Sequence, residues 1–440
     1  MNEYLGIDLG TSSVKALIVK DGTVIAKAKA GYDEISPEGW YAALCRALKT
    51  LDLTNITAVG LSSQVGTYII DGETVIGWNE PVGREELDRL TARFTKEDFI
   101  REIAMPHPQI VSYPLPRLLH ITRHYGAKTV CQPKDFLCER LTGHLVSDPW
   151  SWRGLYHPER GMSEFFLREL GITAALPPIL QPDAIVGKIH APETGIPDGT
   201  PLYVGMNDYY CALLGMGVTE GDLFDITGTS EHLGSIGSAL YPDTPMVSGP
   251  YLRGFVHYGV TASGGTSMDF GMDNFGFSDV NISRSLDRRA PIFLPYLNGE
   301  RAPIFDGDAR GGFFGISSGC DRRDLAYSVL EGNVFSLFSI YLALGEPVCR
   351  RMFVSGGAAK DAILGQLKAD LFGCPVYALR EGDTSALGAA ILAGASRPDS
   401  GTDIYLPGNL RERLLPRFHI YESFYPALKI KFKQWKETIK

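Results

Sequence analysis

No C-x-x-C pair occurs in this sequence, and its seven cysteines (Cys45, Cys131, Cys138, Cys211, Cys320, Cys349 and Cys374) are scattered and odd in number. That pattern argues against zinc and against a disulfide framework, and predicts buried thiols in a reducing cytoplasm. There is no block of lysine and arginine, and the formal net charge is −9. Nucleic acid is therefore not expected as the main partner, although a local cationic patch can still face an anionic ligand. No apolar run approaches the ~18 residues of a membrane span, and strand-like sequence starts almost at once after Met1, without a signal peptide. The expectation is a cytoplasmic protein with no membrane partner. What remains is ordinary for a globular chain: 440 residues, 44% hydrophobic and 21% charged, enough for roughly two or three domains.

One stretch organises the rest. Leu5 to Val19 reads as strand, tight turn, strand, with Gly10, Thr11, Ser12 and Ser13 in the turn. Glycine lets a ligand approach the backbone, successive N–H groups form an anion-binding concavity, and the hydroxyls add donors. Asp8, two residues before the glycine, is placed to hold a metal ion against the same phosphate. Neither common phosphate loop fits, because both lead into a helix and here a strand follows. A plain hairpin turn accounts for the composition equally well at this point.

A third strand near Val24–Lys27 follows, then a helix that starts at Ser36-Pro37 and carries Trp40, Leu44 and Leu48 as its buried stripe. Ile56–Leu61 is a buried strand. This β-β-β-α-β order is the opening of the ribonuclease H-like fold shared by actin and hexokinase. Residues 80 to 180 read as helices and loops, and a strand over Pro201–Gly205 leads to Asn207-Asp208. Glycines at 215 to 221 mark a domain boundary. Beyond it, Leu223 to Ser230 repeats an aspartate, Asp225, and a Gly-Thr-Ser turn, with Thr229 lying 218 positions (229 minus 11) after Thr11. A duplicated core explains this, and two such turns across a cleft can grip one polyphosphate. A third glycine turn, Gly356-Gly357, leads from a strand into a helix with Leu364, Leu367 and Leu371 inward. The Ala- and Gly-rich stretch from Ser385 to Ala393 reads as a closely packed core helix.

These residues resemble the FGGY carbohydrate kinases, the family of glycerol kinase, xylulokinase and gluconate kinase. The resemblance rests on Gly6–Ser12, Phe293–Pro303, Asp306–Gly315 followed by Asp324-Leu325 and Ser328–Glu331, Gly356–Ala358 and Tyr425–Lys429. It covers nearly the whole chain in order. It implies an α/β fold of two ribonuclease H-like (actin/hexokinase superfold) domains with an interdomain active-site cleft: residues 1–217 binding sugar and carrying the catalytic aspartate, residues 218–440 binding ATP. It implies Mg²⁺ as cofactor at Asp8 and Asp208 as the base that orients and deprotonates the acceptor hydroxyl. ATP would be held by Gly10, Thr11, Ser12, Ser13, Gly228, Thr229, Gly319, Gly356, Gly357 and Asp361, and the acceptor by Gln64, Trp78, Asp208 and Tyr209. Lys15 matches a phosphate-side basic position, though a lysine alternating out of a strand is often a solvated face.

The departures lie on the acceptor side. Where relatives read Gln-Met-His-Gly or Asn-Gln-Arg-Glu, this chain has Gln64-Val65-Gly66; Arg84 is displaced, and Arg117 and His120 replace a lysine and a tryptophan. Tyr209, Tyr210, Trp78 and Trp150 offer apolar walls, and each alone reads equally as core. The implied acceptor is a ketose such as xylulose, or another sugar, polyol or sugar acid. A catalytically silent sugar and nucleotide sensor, and an actin-like ATPase, are the readings it competes with. A homodimer is one assembly the family allows, and the sequence leaves it open.

Overall fold

The computed structural model describes residues 2–108, 110–252, 254–380, 382–398 and 401–438. Its first sheet contains β1 (Glu3–Leu9), β2 (Ser13–Lys20), β3 (Thr23–Gly31), β4 (Ile56–Ser63), β5 (Ile185–Lys188) and β6 (Pro201–Asn207) in the order β5-β6-β4-β1-β2-β3. Helix α1 (Pro37–Leu48) covers one face. Ser36 caps it by accepting from the Gly39 N–H at 3.0 Å, and Trp40, Leu44 and Leu48 are fully buried among Leu5, Ile7 and Val59.

Helix α2 (Asp208–Met216) ends at the left-handed Gly217, and a second sheet begins within a few residues. It holds β7 (Leu223–Thr227), β8 (Glu231–Gly237), β9 (Val247–Tyr251), β10 (Gly254–Thr261), β11 (Met352–Gly356), β12 (Val376–Leu379) and β13 (Thr402–Tyr405) in the order β9-β10-β8-β7-β11-β12-β13. Setting aside the edge strand β9, the two sheets have the same order and the same sequence of parallel and antiparallel pairs. In each, a hairpin strand (β1 or β7) pairs antiparallel with its successor and parallel with a later strand. This is the internal duplication that the two Gly-Thr-Ser turns predict, and the α/β class expected from the sequence is the one found.

Helix α4 (Arg322–Ala343) and helix α5 (Ala362–Phe372) pack on the second sheet, and helix α3 (Gly264–Asn274) packs on α4. Among the described residues α4 is long and apolar enough to cross a membrane, but 78% of that apolar window is buried inside the protein, as befits a core helix. Leu364, Leu367 and Leu371 of α5 face the same core.

Helix α6 (Thr384–Leu392) joins the two halves. A Cβ placed on Gly6 or Gly60 would lie 1.9 Å from a backbone oxygen of α6, and one on Gly388 would lie 1.8 Å from the Cys211 oxygen of α2. Only glycine allows that approach, so the small-residue composition of α6 serves close packing across the two halves.

The cysteines depart from expectation. Cys349 and Cys374 are joined as a disulfide, while Cys45, Cys131, Cys138, Cys211 and Cys320 are free. The two paired residues immediately precede β11 and β12, whose register sets Met352 beside Val376. A separation of 25 residues hides a contact that parallel pairing creates.

Candidate active site

The carboxyl ends of β1, β4 and β6 bring the first group together. Register places Asp8 beside Ser62, and Ser63 beside Asn207. Ser62 Oγ donates to Asp8 at 2.9 Å, and Lys15 lies opposite Asp8 on β2. Burial holds the Asp8 carboxyl above the ordinary range despite the serine and lysine that oppose the shift. Lys15 is tied at 3.1 Å to Asp383, just ahead of α6, so it bridges the two halves of the molecule.

Gly205 makes the Asp208 position possible. Its φ is +73° and a Cβ there would sit 1.7 Å from the Leu61 oxygen, so the chain kinks at a bulge before α2. Asn207, not Asp208, caps the helix: its side chain accepts from the Tyr210 N–H at 3.0 Å. Asp208 is the first helical residue, and its carboxylate accepts the neighbouring Tyr209 N–H at 2.7 Å and its own N–H. Burial first, and then the Asp8 charge, push its pKa up to about 7. Two carboxylates that repel each other at strand ends suit a base and a cation site. Asp8 offers the hard oxygen that Mg²⁺ prefers.

The second group lines a cavity of about 520 Å³ in the second half. It includes Thr227, Gly228, Thr229, Gly264, Gly265, Gly357 and Asp361. A Cβ on Gly356 would lie 2.0 Å from the Thr227 oxygen and its φ is +95°, so this turn admits only glycine. Gly357 has open space where a side chain would point. The Gly265 N–H donates to the Gly228 oxygen at 2.7 Å, holding the start of α3 against the turn. The repeated Gly264-Gly265 was available as a signal and went unread. Asp361 caps α5, accepting from Ile363 and Leu364 N–H groups at 2.8 and 3.0 Å, so one of its oxygens is already engaged.

Asp225 is not the counterpart of Asp8. It stands three residues before Gly228, whereas Asp8 stands two before Gly10, and one residue of offset turns a side chain to the other face of a sheet. Asp225 is buried with Lys368, which also reaches Glu231 at 2.8 Å.

The remaining ATP-side candidates lie outside this cavity. Thr11 and Ser12 are exposed on the first turn, Ser13 is buried at the start of β2, and Gly10 donates to the Ser13 oxygen at 3.0 Å. Gly319 is exposed on the loop before α4.

A smaller cavity of about 200 Å³ adjoins the start of α2. Val65, Gly66, Trp150, Arg153, Asn207, Tyr209 and Tyr258 line it. Tyr209 lines this cavity, and Trp150 and Tyr210 belong to both core and cavity wall. Gln64 is buried next to Tyr32, behind the first turn. Trp78 is 45% exposed and lines none of these cavities. Arg153 and Tyr258 carry no sequence signal of their own. Two larger hollows, about 750 and 710 Å³, hold none of the candidate residues.

Residues 225–397 match the family model described as FGGY family of carbohydrate kinases, C-terminal domain. The chain is 28% identical over 454 residues to a xylulose kinase of Bacillus subtilis, covering 89% of this chain and 88% of that protein. It is 26% identical over 456 residues to a gluconokinase of the same organism, with 89% and 87% covered. A ligand-bound xylulose kinase from Lactobacillus acidophilus superposes with a TM-score of 0.84 at 22% identity, covering 99% of this chain and all of that one; at that identity the likeness is one of fold.

Proposed function

We propose that this chain, whose residues 225–397 match the model of the C-terminal domain of the FGGY carbohydrate kinases, transfers the γ-phosphoryl group of ATP to a hydroxyl of a small carbohydrate. The observation that carries the reading is Asp208: a carboxyl spared from capping, with its pKa raised to about 7 beside Asp8, at a carboxyl end of the sheet and between Asn207 and Tyr209, which line the small cavity. In this reading Asp208 accepts the proton of the acceptor hydroxyl as its oxygen bonds to phosphorus. Mg²⁺, held through Asp8, would neutralise the phosphates. Gly228 and Thr229 take the phosphates from the second half, and Gly10, Thr11, Ser12 and Ser13 take them from the first, with Gly319, Gly356, Gly357 and Asp361 completing the nucleotide side.

The two turns line no common cavity, so the reading includes closure of residues 1–217 on residues 218–440 once both substrates bind. Closure also excludes water, which would otherwise compete as acceptor. With ATP as co-substrate, this reading expects the activity in the cytoplasm. The acceptor cavity is small, and Val65-Gly66 leaves it to be completed by Arg153 and Tyr258. Gln64, Trp78 and Tyr209 were expected to contact the acceptor, and of these Tyr209 has the position for it. The curated relatives named above favour a ketose such as xylulose, or a sugar acid.

A coupled ADP-release assay with Mg²⁺ and ATP over ketoses, polyols and sugar acids of five to seven carbons tests this, with glycerol as reference. The expected result is a kcat/KM for at least one of them well above that for glycerol. ADP release no faster with any acceptor than with water alone would overturn the kinase reading in favour of a silent sensor.

A further inference from the structure

We infer that the acceptor carries a negative charge, a carboxylate or a phosphate ester, and that Arg153 receives it. The inference rests on reading the 200 Å³ cavity as the acceptor site. Arg153 reaches that cavity from the segment following Asp148, and its Nη2 donates to the Ser248 oxygen of β9 at 3.3 Å. Its Nε is buried without a hydrogen-bond partner, and the guanidinium lies beside the hydroxyls of Tyr210 and Tyr258. No carboxylate lies within ion-pair distance of it among the described residues.

Other buried cations in this protein are provided for. Lys134 lies 3.1 Å from Asp148, Arg417 lies 2.6 Å from Glu331, and Lys368 has both Asp225 and Glu231. Arg117, which lacks a carboxylate, donates through Nη2 to the oxygens of Gly77, Trp78 and Glu80 while its Nε and Nη1 are without partners, but it lines none of the cavities described above. Asp148, the acid nearest in sequence, is already engaged by Lys134, by the Trp150 and Ser151 N–H groups and by the Ser151 hydroxyl.

The Tyr209 hydroxyl and the Trp150 indole N–H also belong to lining residues and are buried without partners. The rest of the polar lining is hydroxyls and the Asn207 amide, with no carboxylate among the lining residues. A neutral polyol can pair with those groups but brings no charge to the guanidinium. A carboxylate or phosphate presents acceptors only, and it supplies the counter-ion that a guanidinium removed from water requires. Arg153 is therefore a specificity-determining residue. Nothing in the alternation or periodicity of the sequence marks it.

The test is calorimetric binding with the full chain, using D-gluconate and D-glucuronate as carboxylates, D-glucitol and D-xylulose as neutral compounds, and glucose 6-phosphate as the ester. Either a carboxylate or the ester should bind at least ~10-fold more tightly than the neutral compounds, the order of magnitude of one charge-assisted hydrogen bond. Which of the two binds identifies the anion. Arg153→Gln should reduce the acid-to-neutral ratio by ~10-fold or more, with unchanged ATP affinity certifying its fold, and Arg153→Lys should restore part of it. Neutral compounds binding as tightly as the anions, or a ratio unchanged in Arg153→Gln, would overturn the inference. ADP release measured alongside separates the two claims. An anion that binds without being phosphorylated keeps this site and removes the kinase reading, whereas a neutral compound phosphorylated while no anion binds does the reverse.

Discussion

Asp208 begins α2 without capping it, and that division of labour with Asn207 decides what Asp208 can do. A base must be unprotonated to accept a proton. With a pKa raised to about 7, kcat/KM should fall as pH drops below 7 and level off above it. Asp208→Asn should lose that limb together with ~10²- to 10⁴-fold in kcat, the usual worth of a general base, while ATP affinity stays near wild type. The same shift affects stability in the opposite sense. A carboxyl whose pKa is raised on folding binds an extra proton in the native state. Its stabilising contribution is complete below the unfolded value near 4 and is lost as pH rises through about 7. Asp208→Asn, neutral throughout, should therefore melt higher than wild type at pH 8 and no higher at pH 4. Parallel melting curves at the two pH values check this. At this scale the sequence was legible where a residue type has one backbone use: the turn at Gly356 was found from turn chemistry, and its φ is +95°. It was illegible where the role depends on what another segment fails to supply. Arg153 becomes notable only once Ser248 and Tyr258 are beside it, and Asp225 misled because its face depends on a one-residue offset.

Among the elements, the turn 228–230 and helix α6 carry the next two predictions. Thr229 is exposed at the tip of its turn and lines the cavity of about 520 Å³ proposed for the nucleotide. Thr229→Val removes one hydroxyl from a charged ligand, and ATP affinity measured by calorimetry should drop about ten- to a hundredfold. Unchanged affinity with the fold intact would remove this turn from the phosphate site. Helix α6 meets β1 and β4 through Gly6 and Gly60. Gly60→Ala would place a Cβ 1.9 Å from the Ala389 backbone oxygen, which no rotamer can relieve. Denaturant unfolding should report a loss of roughly 1 to 3 kcal/mol or more, the ordinary cost of overpacking. The periodicity of α1 and α5 and the composition of α6 made these elements readable in advance. The disulfide between Cys349 and Cys374 was not, because it follows from parallel pairing of two strands that local sequence does not disclose.

For the molecule as a whole, two Gly-Thr-Ser turns 218 residues apart foretold two sheets of like topology, and the strand orders agree. The repeat was legible because each half needs the same turn at the same strand end. The cavity proposed for the acceptor was not, since its walls come from residues 65 to 258 and assemble only in three dimensions. The central claim is that this cleft moves phosphorus from ATP to a carbohydrate through Asp208. Phosphorus NMR of the reaction mixture, run with wild type and Asp208→Asn over the same acceptors, tests it most directly. The account predicts a new phosphomonoester signal growing in step with ADP for wild type, and growing ~10²- to 10⁴-fold more slowly for the variant. Inorganic phosphate as the sole new product with every acceptor, or equal rates for the two proteins, would contradict it.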